Sequence, residues 1–249
     1  MSTPTEWFER FFPGLYGEVL AGQFSAVRTL KEARLVKRLL KLRNGQKVLD
    51  VPCGMGRLTI PLAKMGLKMT GVDLTAPFIR RARRRATKER ATVRFMHCDM
   101  RDIAFEGEFD AAVNWFSSFG YFAEADNLRF AKRALAALKP GGQFLVEVMN
   151  KTWLMSHLHP GRDETINGVR LVNRPRWNRR TNRIRDTWTM SKAGRTERRT
   201  MSMRVYSGAE MRRLLQAAGF RDVRVFDRRS LGPVTRGSKR FIAIGRRPE

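Results

Sequence analysis

The chain has 249 residues, of which 42% are hydrophobic, so it can bury a sizeable core and a single domain is expected. It carries 50 Lys and Arg against 23 Asp and Glu, a formal net charge of +27. No apolar stretch approaches the ~18 residues that would span a bilayer, and residues 1–12 hold charged side chains where a secretory signal has an apolar run. We therefore expect a soluble, cytoplasmic protein.

Cysteine is rare, because Cys53 and Cys98 are the only two in the sequence. Each is predicted to follow a strand at the same edge of a sheet, and His97 is the one histidine beside them. Two thiols and one imidazole make neither a disulfide framework nor a metal site. A reducing compartment, no disulfide and no metal are therefore predicted.

The positive charge is the unusual feature of the composition, and most of the excess is arginine. Such a field attracts polyanions, so nucleic acid, an anionic membrane surface and an anionic substrate are all candidate partners. A solvated basic surface without a dedicated partner accounts for the composition equally well.

Helices and strands alternate along the first part of the chain. Between Phe24 and Leu42 apolar residues recur at spacings of three to five with Lys and Arg between them, which indicates an amphipathic helix. Alternating β and α units then predict a parallel sheet with helices on both faces. The predicted elements are strand 47–51, helix 57–64, strand 68–72, helix 76–88, strands 92–97 and 109–115, helix 124–138 and strand 143–149.

The pattern changes after Asn150. Side-chain character alternates at period two over 169–173, 183–190 and 195–205, which predicts two or three antiparallel strands. A helix begins at Ser207, which has the capping-box spacing to Glu210, and ends at Gly219; strands 223–226 and 240–244 follow. The predicted fold is α/β, a doubly wound, mostly parallel seven-stranded sheet with a small antiparallel β insert after the fifth strand.

A Gly-rich turn follows the first predicted strand. Gly54 and Gly56 stand where this strand passes into a helix, so the polar end of a ligand can approach backbone N–H groups there. Asp50 adds a carboxylate at the end of the same strand.

Acidic residues also follow the next two strands. Asp73 comes roughly 20 residues after the turn, where an acidic side chain accepts hydrogen bonds from ribose hydroxyls. Asp99 follows the third strand, where it can accept a hydrogen bond from an adenine amino group. An Asp at a strand end is more often a helix cap, but the three in order predict a nucleoside-binding site.

With these motifs the sequence from about Gly45 to the C-terminus resembles the class I S-adenosylmethionine-dependent methyltransferases, of the small-molecule methyltransferase-domain type. The stretches 138–142 (LKPGG) and 206–220 are similar to the same family. Pro52 departs from it, because the family usually has there the first glycine of an acidic, x, Gly, x, Gly, x, Gly pattern. Proline still permits an extended strand end.

The resemblance implies S-adenosylmethionine as the cofactor and assigns residues to its parts. The turn from Asp50 to Gly56, with Pro52, Cys53 and Gly54, would hold the methionine end; Asp73 with Leu74 the ribose; Asp99 with Met100 the adenine; and Asn114 with Trp115 would flank the sulfonium and the acceptor. It also divides the chain into a helical lid segment (1–44), a cofactor-binding core (45–150), the antiparallel insert (151–206) and a C-terminal completion of the core sheet (207–249).

A nicotinamide dinucleotide is the rival cofactor. Its fingerprint needs a third glycine for close packing of helix and strand, and Thr59 occupies that position. The Asp50 carboxylate stands before the glycines, where it suits an amino group better than a pyrophosphate.

Methyl transfer from a sulfonium is an in-line displacement that needs no nucleophilic Ser, Cys or metal. No catalytic residue is assigned; His157, His159 and Glu147 are weak candidates for a general base, with a surface or packing role favoured for each. Aromatic candidates for the acceptor pocket are Tyr16, Trp115, Tyr121 and Trp153.

The acceptor is predicted to be a small molecule methylated on N or O, with RNA as the alternative. The insert from Ile166 to Arg204 carries twelve Lys and Arg against two acidic residues, interleaved with Trp177 and Trp188, as in single-strand binding. Basic residues are nevertheless spread over nearly every element, and no RNA-binding module is recognisable. A non-catalytic, cofactor-binding scaffold is a second alternative, and a homodimer is a further expectation.

Overall fold

A computed structural model describes residues 6–249 of the protein. Over these residues the elements follow in chain order as α1 (Trp7–Phe11), α2 (Leu15–Gly22), α3 (Ala26–Leu39), β1 (Lys47–Asp50), α4 (Thr59–Lys64), β2 (Lys68–Asp73), α5 (Ala76–Lys88), β3 (Val93–His97), β4 (Phe109–Asn114), α6 (Glu124–Ala137), β5 (Leu138–Met149), α7 (Lys151–Ser156), β6 (Arg162–Ile166), β7 (Val169–Asn178), β8 (Arg183–Lys192), β9 (Arg195–Arg204), α8 (Gly208–Ala217), β10 (Arg221–Asp227) and β11 (Arg240–Arg246).

The predicted seven-stranded sheet is confirmed, with the strand order β10-β11-β5-β4-β1-β2-β3. Strands β1 to β5 are parallel, whereas β11 runs antiparallel to β5 and β10 antiparallel to β11. Because the parallel strands all end at one edge, the residues that follow β1, β2, β3 and β4 meet there.

Two apolar cores cover the two faces of this sheet. Val48 packs on one face with α3 and α4, while its neighbour Leu49 packs on the other with α6 and α8. Leu145 and Phe144 in β5 divide between the faces in the same way. Side chains of a strand alternate between faces, so buried runs such as these need apolar residues at every position.

Several boundaries differ from the prediction, and two of them have a clear local cause. The helix predicted from Phe24 to Leu42 is shorter, because the side chain of Ser25 accepts a hydrogen bond from the Arg28 N–H (3.2 Å) and caps α3 at its start. The fifth strand begins at Leu138, five residues before its predicted start, because the chain passes directly from α6 into extended backbone and Leu138 pairs with Phe109.

The insert has four antiparallel strands, in the order β6-β7-β8-β9, where two or three were predicted. The unpredicted strand β6 pairs with β7 through a turn at Asn167 and Gly168, both of which have positive φ. An Asn-Gly pair between two strands is the strongest local signal for a two-residue hairpin. The sequence therefore contained the signal for this strand.

The insert and the N-terminal helices pack against each other. Leu15 and Val19 of α2 contact Val169, Leu171 and Met190 on one face of the four-stranded sheet. The rest of this face continues over the carboxyl edge of the large sheet and faces a cavity there. Between residues 6 and 249 no helix is both long and apolar enough to cross a membrane.

Candidate active site at the carboxyl edge of the sheet

A cavity of about 960 Å³ lies at the carboxyl ends of the parallel strands. The turn after β1 forms its floor, aromatic residues of α1 and α2 form one wall, and the insert forms another. Ligand cavities are typically about 300–1,000 Å³. The space is therefore large enough for a cofactor together with a small second molecule.

The two glycines of the turn have different roles. Both have positive φ, +56° at Gly54 and +74° at Gly56, a conformation that favours glycine. A Cβ at Gly54 would meet nothing within 4 Å, whereas one at Gly56 would press on Ile60 (3.0 Å) and Phe95 (3.2 Å). Gly54 thus leaves the turn backbone open to the cavity, and Gly56 permits close packing beneath it.

Asp50 lines the cavity and is almost fully buried, at 3% exposure. One carboxylate oxygen, Oδ2, accepts a hydrogen bond from the Thr59 hydroxyl at 2.6 Å. Burial raises the pKa of Asp50 to about 7, against the lowering effect of Thr59 and of the Arg57 charge. No Lys or Arg nitrogen of residues 6–249 lies within 4.0 Å of this carboxylate.

Asp73 at the end of β2 holds the Gly-rich turn in place. Its two oxygens accept backbone hydrogen bonds from Gly54 (2.8 Å) and Thr75 (2.7 Å). Burial raises its pKa, and these two hydrogen bonds lower it. Each oxygen keeps a further lone pair, and the residue lines the cavity together with Leu74.

Asp99 and Met100 after β3 also line the cavity. Asp99 forms a two-pronged ion pair with Arg101, whose Nε and Nη2 lie 3.1 and 2.8 Å from Oδ2. Arg101 also pairs with Glu6 (2.7 Å) next to α1 and lies over the ring of Phe122. Arg101, which no sequence pattern singled out, ties the N-terminal helices to the cavity.

Asn114 and Trp115 were predicted to act together at the sulfonium, but only Trp115 lines the cavity. Asn114 is fully buried beneath the turn and donates from Nδ2 to the Val51 carbonyl (2.9 Å). Trp115 donates its indole N–H to Glu32 (3.0 Å). Asn114 is the last residue of the central strand β4, and its side chain bonds to the turn instead of lining the cavity. We therefore expect Asn114 to support the turn.

Pro52 and Cys53 complete the predicted cofactor turn and line the cavity. The Val51–Pro52 peptide bond is cis. Cys53 donates its backbone N–H to the Val72 carbonyl of β2 (2.8 Å). Both Cys53 and Cys98 are free thiols, and burial raises the pKa of each.

The four aromatic residues predicted for the acceptor pocket all line the cavity. The ring of Tyr16 packs on Phe11 and Trp188 with centroids 4.7 and 5.5 Å apart, and burial raises its pKa to about 12. Burial likewise raises the pKa of Tyr121. Trp153 stacks face to face on His157 at 4.5 Å.

The three weak candidates for a general base lie in different surroundings. His157 and His159 line the cavity, and Nδ1 of His159 is buried without a hydrogen-bond partner among the described residues. Glu147 does not line it, because its fully buried carboxylate is paired with Arg228 and Arg240 and accepts the Phe116 N–H (2.9 Å). The weak candidacy of Glu147 as a base does not fit this position, whereas the favoured packing role does: its carboxylate stabilises the wall behind the cavity.

Residues 48–142 match a family described as a methyltransferase domain. The ubiquinone biosynthesis O-methyltransferase of Bradyrhizobium diazoefficiens is 30% identical to the chain over 116 residues, which are 47% of this chain and 45% of that protein. The matched segment is less than half the length of the curated relatives it resembles.

Similar solved structures cover nearly all of the chain. The CcbJ methyltransferase from Streptomyces caelestis has a TM-score of 0.82 at 16% identity, over 98% of this chain and 99% of that one. The amino pentose methyltransferase CalS10 from Micromonospora echinaspora, solved with S-adenosylmethionine bound, has a TM-score of 0.68 at 20% identity, over 94% and 97%. At such identities the likeness shows a shared fold.

The matched segment contains β1 with its Gly-rich turn, Asp73 and Asp99, which are the features that build the floor of the cavity. The fold of the whole chain agrees with that assignment. Residues 48–142 are therefore similar to the methyltransferase-domain family, and the whole chain shares the fold of solved methyltransferases.

Proposed function

We propose that the protein is an S-adenosylmethionine-dependent methyltransferase that methylates N or O of a small molecule by in-line displacement. The observation that carries this proposal is the convergence of Asp50, Asp73 and Asp99 on one cavity around Gly54. The same three positions were assigned to the cofactor from the sequence. When bound, the cofactor supplies a sulfonium methyl group that a nucleophile attacks in line.

The residues at the cavity floor fit this cofactor. The open space above Gly54 allows a ligand to approach the turn backbone. The Asp50 carboxylate, which has no Lys or Arg nitrogen of residues 6–249 within 4.0 Å, would accept an amino group, and Asp73 keeps lone pairs for ribose hydroxyls. Asp99, held by Arg101, and Met100 would contact the adenine. Trp115 and the N-terminal aromatic residues would exclude water.

A small acceptor is favoured over RNA because α1, α2 and the insert enclose the cavity on two sides. Similar proteins are named as an amino pentose methyltransferase and a ubiquinone biosynthesis O-methyltransferase, and both names refer to small molecules. The basic residues that suggested RNA lie on many elements, and binding of nucleic acid remains a prediction, as do a cytoplasmic location and a homodimer. A non-catalytic scaffold is the alternative that a test must exclude.

Calorimetric titration of nucleic-acid-free protein with S-adenosylmethionine and S-adenosylhomocysteine tests the proposal. We expect saturable binding of both, weakened by about 1–3 kcal/mol in Asp73→Ala because a charged hydrogen-bond acceptor is lost. Asp163→Ala is the matched control, since Asp163 is exposed on β6 and pairs only with Arg170.

Absence of binding by the folded wild-type protein would contradict the proposal. Methyl transfer is then tested with a panel of amines, phenols and RNA, with S-adenosylhomocysteine release as the readout. Cofactor binding without transfer to any acceptor would favour the scaffold, and transfer to RNA alone would replace the small-molecule acceptor.

A further inference from the structure

A carboxylate stands in the wall of the cavity that the insert forms. Residues of β8 alternate between faces, so Ile184, Asp186 and Trp188 share the face that lines the cavity. Asp186 is 4% exposed. Its neighbours on this face are apolar, Pro175 across from it on β7 and Met201 on β9. A carboxylate is thus buried between two apolar cross-strand neighbours.

Only one of the two carboxylate oxygens of Asp186 is occupied. Oδ2 accepts hydrogen bonds from Nδ2 of Asn173 and from the indole N–H of Trp188, both at 2.7 Å. Oδ1 is buried and has no hydrogen-bond donor within the described part of the chain. A buried carboxylate oxygen without a donor costs free energy unless a ligand supplies one.

Asp186 also lacks a cation, although the chain has 50 Lys and Arg. Within residues 6–249 no Lys, Arg or His nitrogen lies within 4.0 Å of it. The buried carboxylates away from the cavity floor are paired: Glu32 with three arginines, Glu147 with two and Glu197 with two. Asp227, outside the cavity, accepts N–H groups of its own turn instead.

The carboxylates that resemble Asp186 are Asp50 and Asp73. Both are buried, line the same cavity and form no ion pair with a residue between 6 and 249, and both are assigned to polar groups of the cofactor in the proposed function. Asp186 lies on the insert, whereas those two lie on the floor. A second molecule with a positive charge and N–H donors would form a charge-assisted hydrogen bond with Asp186, as the cofactor would with the carboxylates of the floor.

We propose that Asp186 is the acceptor-binding carboxylate and that the acceptor is an amine, whose ammonium group donates to Oδ1. This inference rests on the proposed function and narrows its acceptor to nitrogen. The ammonium passes one proton to Oδ1 and becomes a neutral amine. Once its lone pair is turned toward the methyl group, the nitrogen would form the N–C bond as the C–S bond of the cofactor breaks, which would give a methylated ammonium product and S-adenosylhomocysteine. Burial raises the pKa of Asp186, although the hydrogen bonds from Asn173 and Trp188 and the charge of His159 lower it. The raised pKa favours transfer of a proton to this carboxylate.

His159 is a further polar group near Asp186. It lines the cavity, and its buried Nδ1 has no partner among the described residues. Within residues 6–249 no ring nitrogen of His159 lies within 4.0 Å of Asp186, and both residues line the cavity. An amine that donates to Oδ1 would therefore have a second polar contact available.

A pair of probes of equal shape tests the proposal. Cyclohexylamine and cyclohexanol are titrated, by ligand-observed NMR, into wild-type protein that has been saturated with S-adenosylhomocysteine. We expect the amine to bind roughly tenfold or more tightly than the alcohol, as for a charged hydrogen bond in a buried site. Asp186→Asn should lose this preference, and Asp186→Glu, which keeps the charge, should regain part of it.

Asp163→Asn is the matched control, because it removes an exposed carboxylate from the same insert and should leave the preference unchanged. Equal binding of the two probes to wild-type protein, or binding of neither, overturns the inference and needs no variant. A preference that survives in Asp186→Asn also overturns it. Failure of the wild-type protein to bind S-adenosylhomocysteine overturns the proposed function instead.

Discussion

The three carboxylates at the cavity floor differ in what already occupies them. Asp99 is held by Arg101, and Asp73 accepts two backbone N–H groups. Asp50 accepts the Thr59 hydroxyl, and among residues 6–249 no Lys or Arg nitrogen lies within 4.0 Å of it. The cost of burying the charge of Asp50 in the protein without ligand appears as a raised pKa.

Asp50→Asn should flatten the pH dependence of stability between about pH 4 and about pH 7. Burial raises the pKa of Asp50 from its ordinary 3.8 to about 7, so the native state keeps a proton that the unfolded chain releases. The stability due to this proton is complete below the unfolded pKa and is lost as the pH rises through 7, a fall of a few kcal/mol at about 1.4 kcal/mol per pKa unit.

Urea unfolding of both proteins at a series of pH values measures this effect. Thr59→Val serves as the companion variant, because it removes the hydrogen bond that lowers the pKa of Asp50 and should move the fall to higher pH. The pKa assignment is wrong if wild type and Asp50→Asn lose stability in parallel over this range.

Among the elements, α3 packs on the large sheet and also contributes a buried carboxylate that contacts three other segments. Glu32 of α3 pairs with Arg57 before α4 (2.6 Å) and with Arg228 after β10, and accepts the indole N–H of Trp115 after β4 (3.0 Å). Burial raises its pKa, but the charges of Arg57 and Arg228 and these hydrogen bonds have the larger, opposite effect, and the pKa is lowered to about 2. Four separate segments thus meet at one ionised group behind the cavity.

Glu32→Ala should lower the free energy of unfolding by about 3–5 kcal/mol, because it leaves buried guanidinium groups without their counter-charge. Glu164→Ala is the control, since Glu164 is an exposed partner of Arg162 and such surface pairs contribute about 0–1 kcal/mol. Chemical denaturation at neutral pH measures both. A cost below that of the control would mean that the network adds nothing to stability.

At the scale of the whole molecule, the net charge of +27 opposes folding through repulsion between like charges. The free energy of unfolding should therefore rise as NaCl increases from about 10 mM to about 150 mM, because the Debye length falls from about 30 Å to about 8 Å. Urea unfolding at each salt concentration measures it. A fall in stability would instead show that screening of the ion pairs outweighs relief of the repulsion.

The sequence by itself determined most of the strands and helices and their succession along the chain, and it identified the residues that form the floor of the cavity. Both are local properties: apolar runs such as 47–51 have a period that a strand or a helix must follow, and Gly54, Asp50 and Asp73 stand at fixed offsets from strand ends. The hairpin turn at Asn167 and Gly168 was also available locally but was not recognised.

Only the tertiary structure decided which polar groups are partnered and which are left open. Glu147 and Asp186 are both acidic residues in strands, yet one meets Arg228 and Arg240 from distant segments and the other meets a cavity. Asn114 and Trp115 are adjacent in sequence, but the side chain of Asn114 bonds to the buried backbone of Val51, whereas Trp115 lines the cavity. These distinctions depend on contacts between residues far apart in the chain, which no periodicity or spacing within a single segment contains.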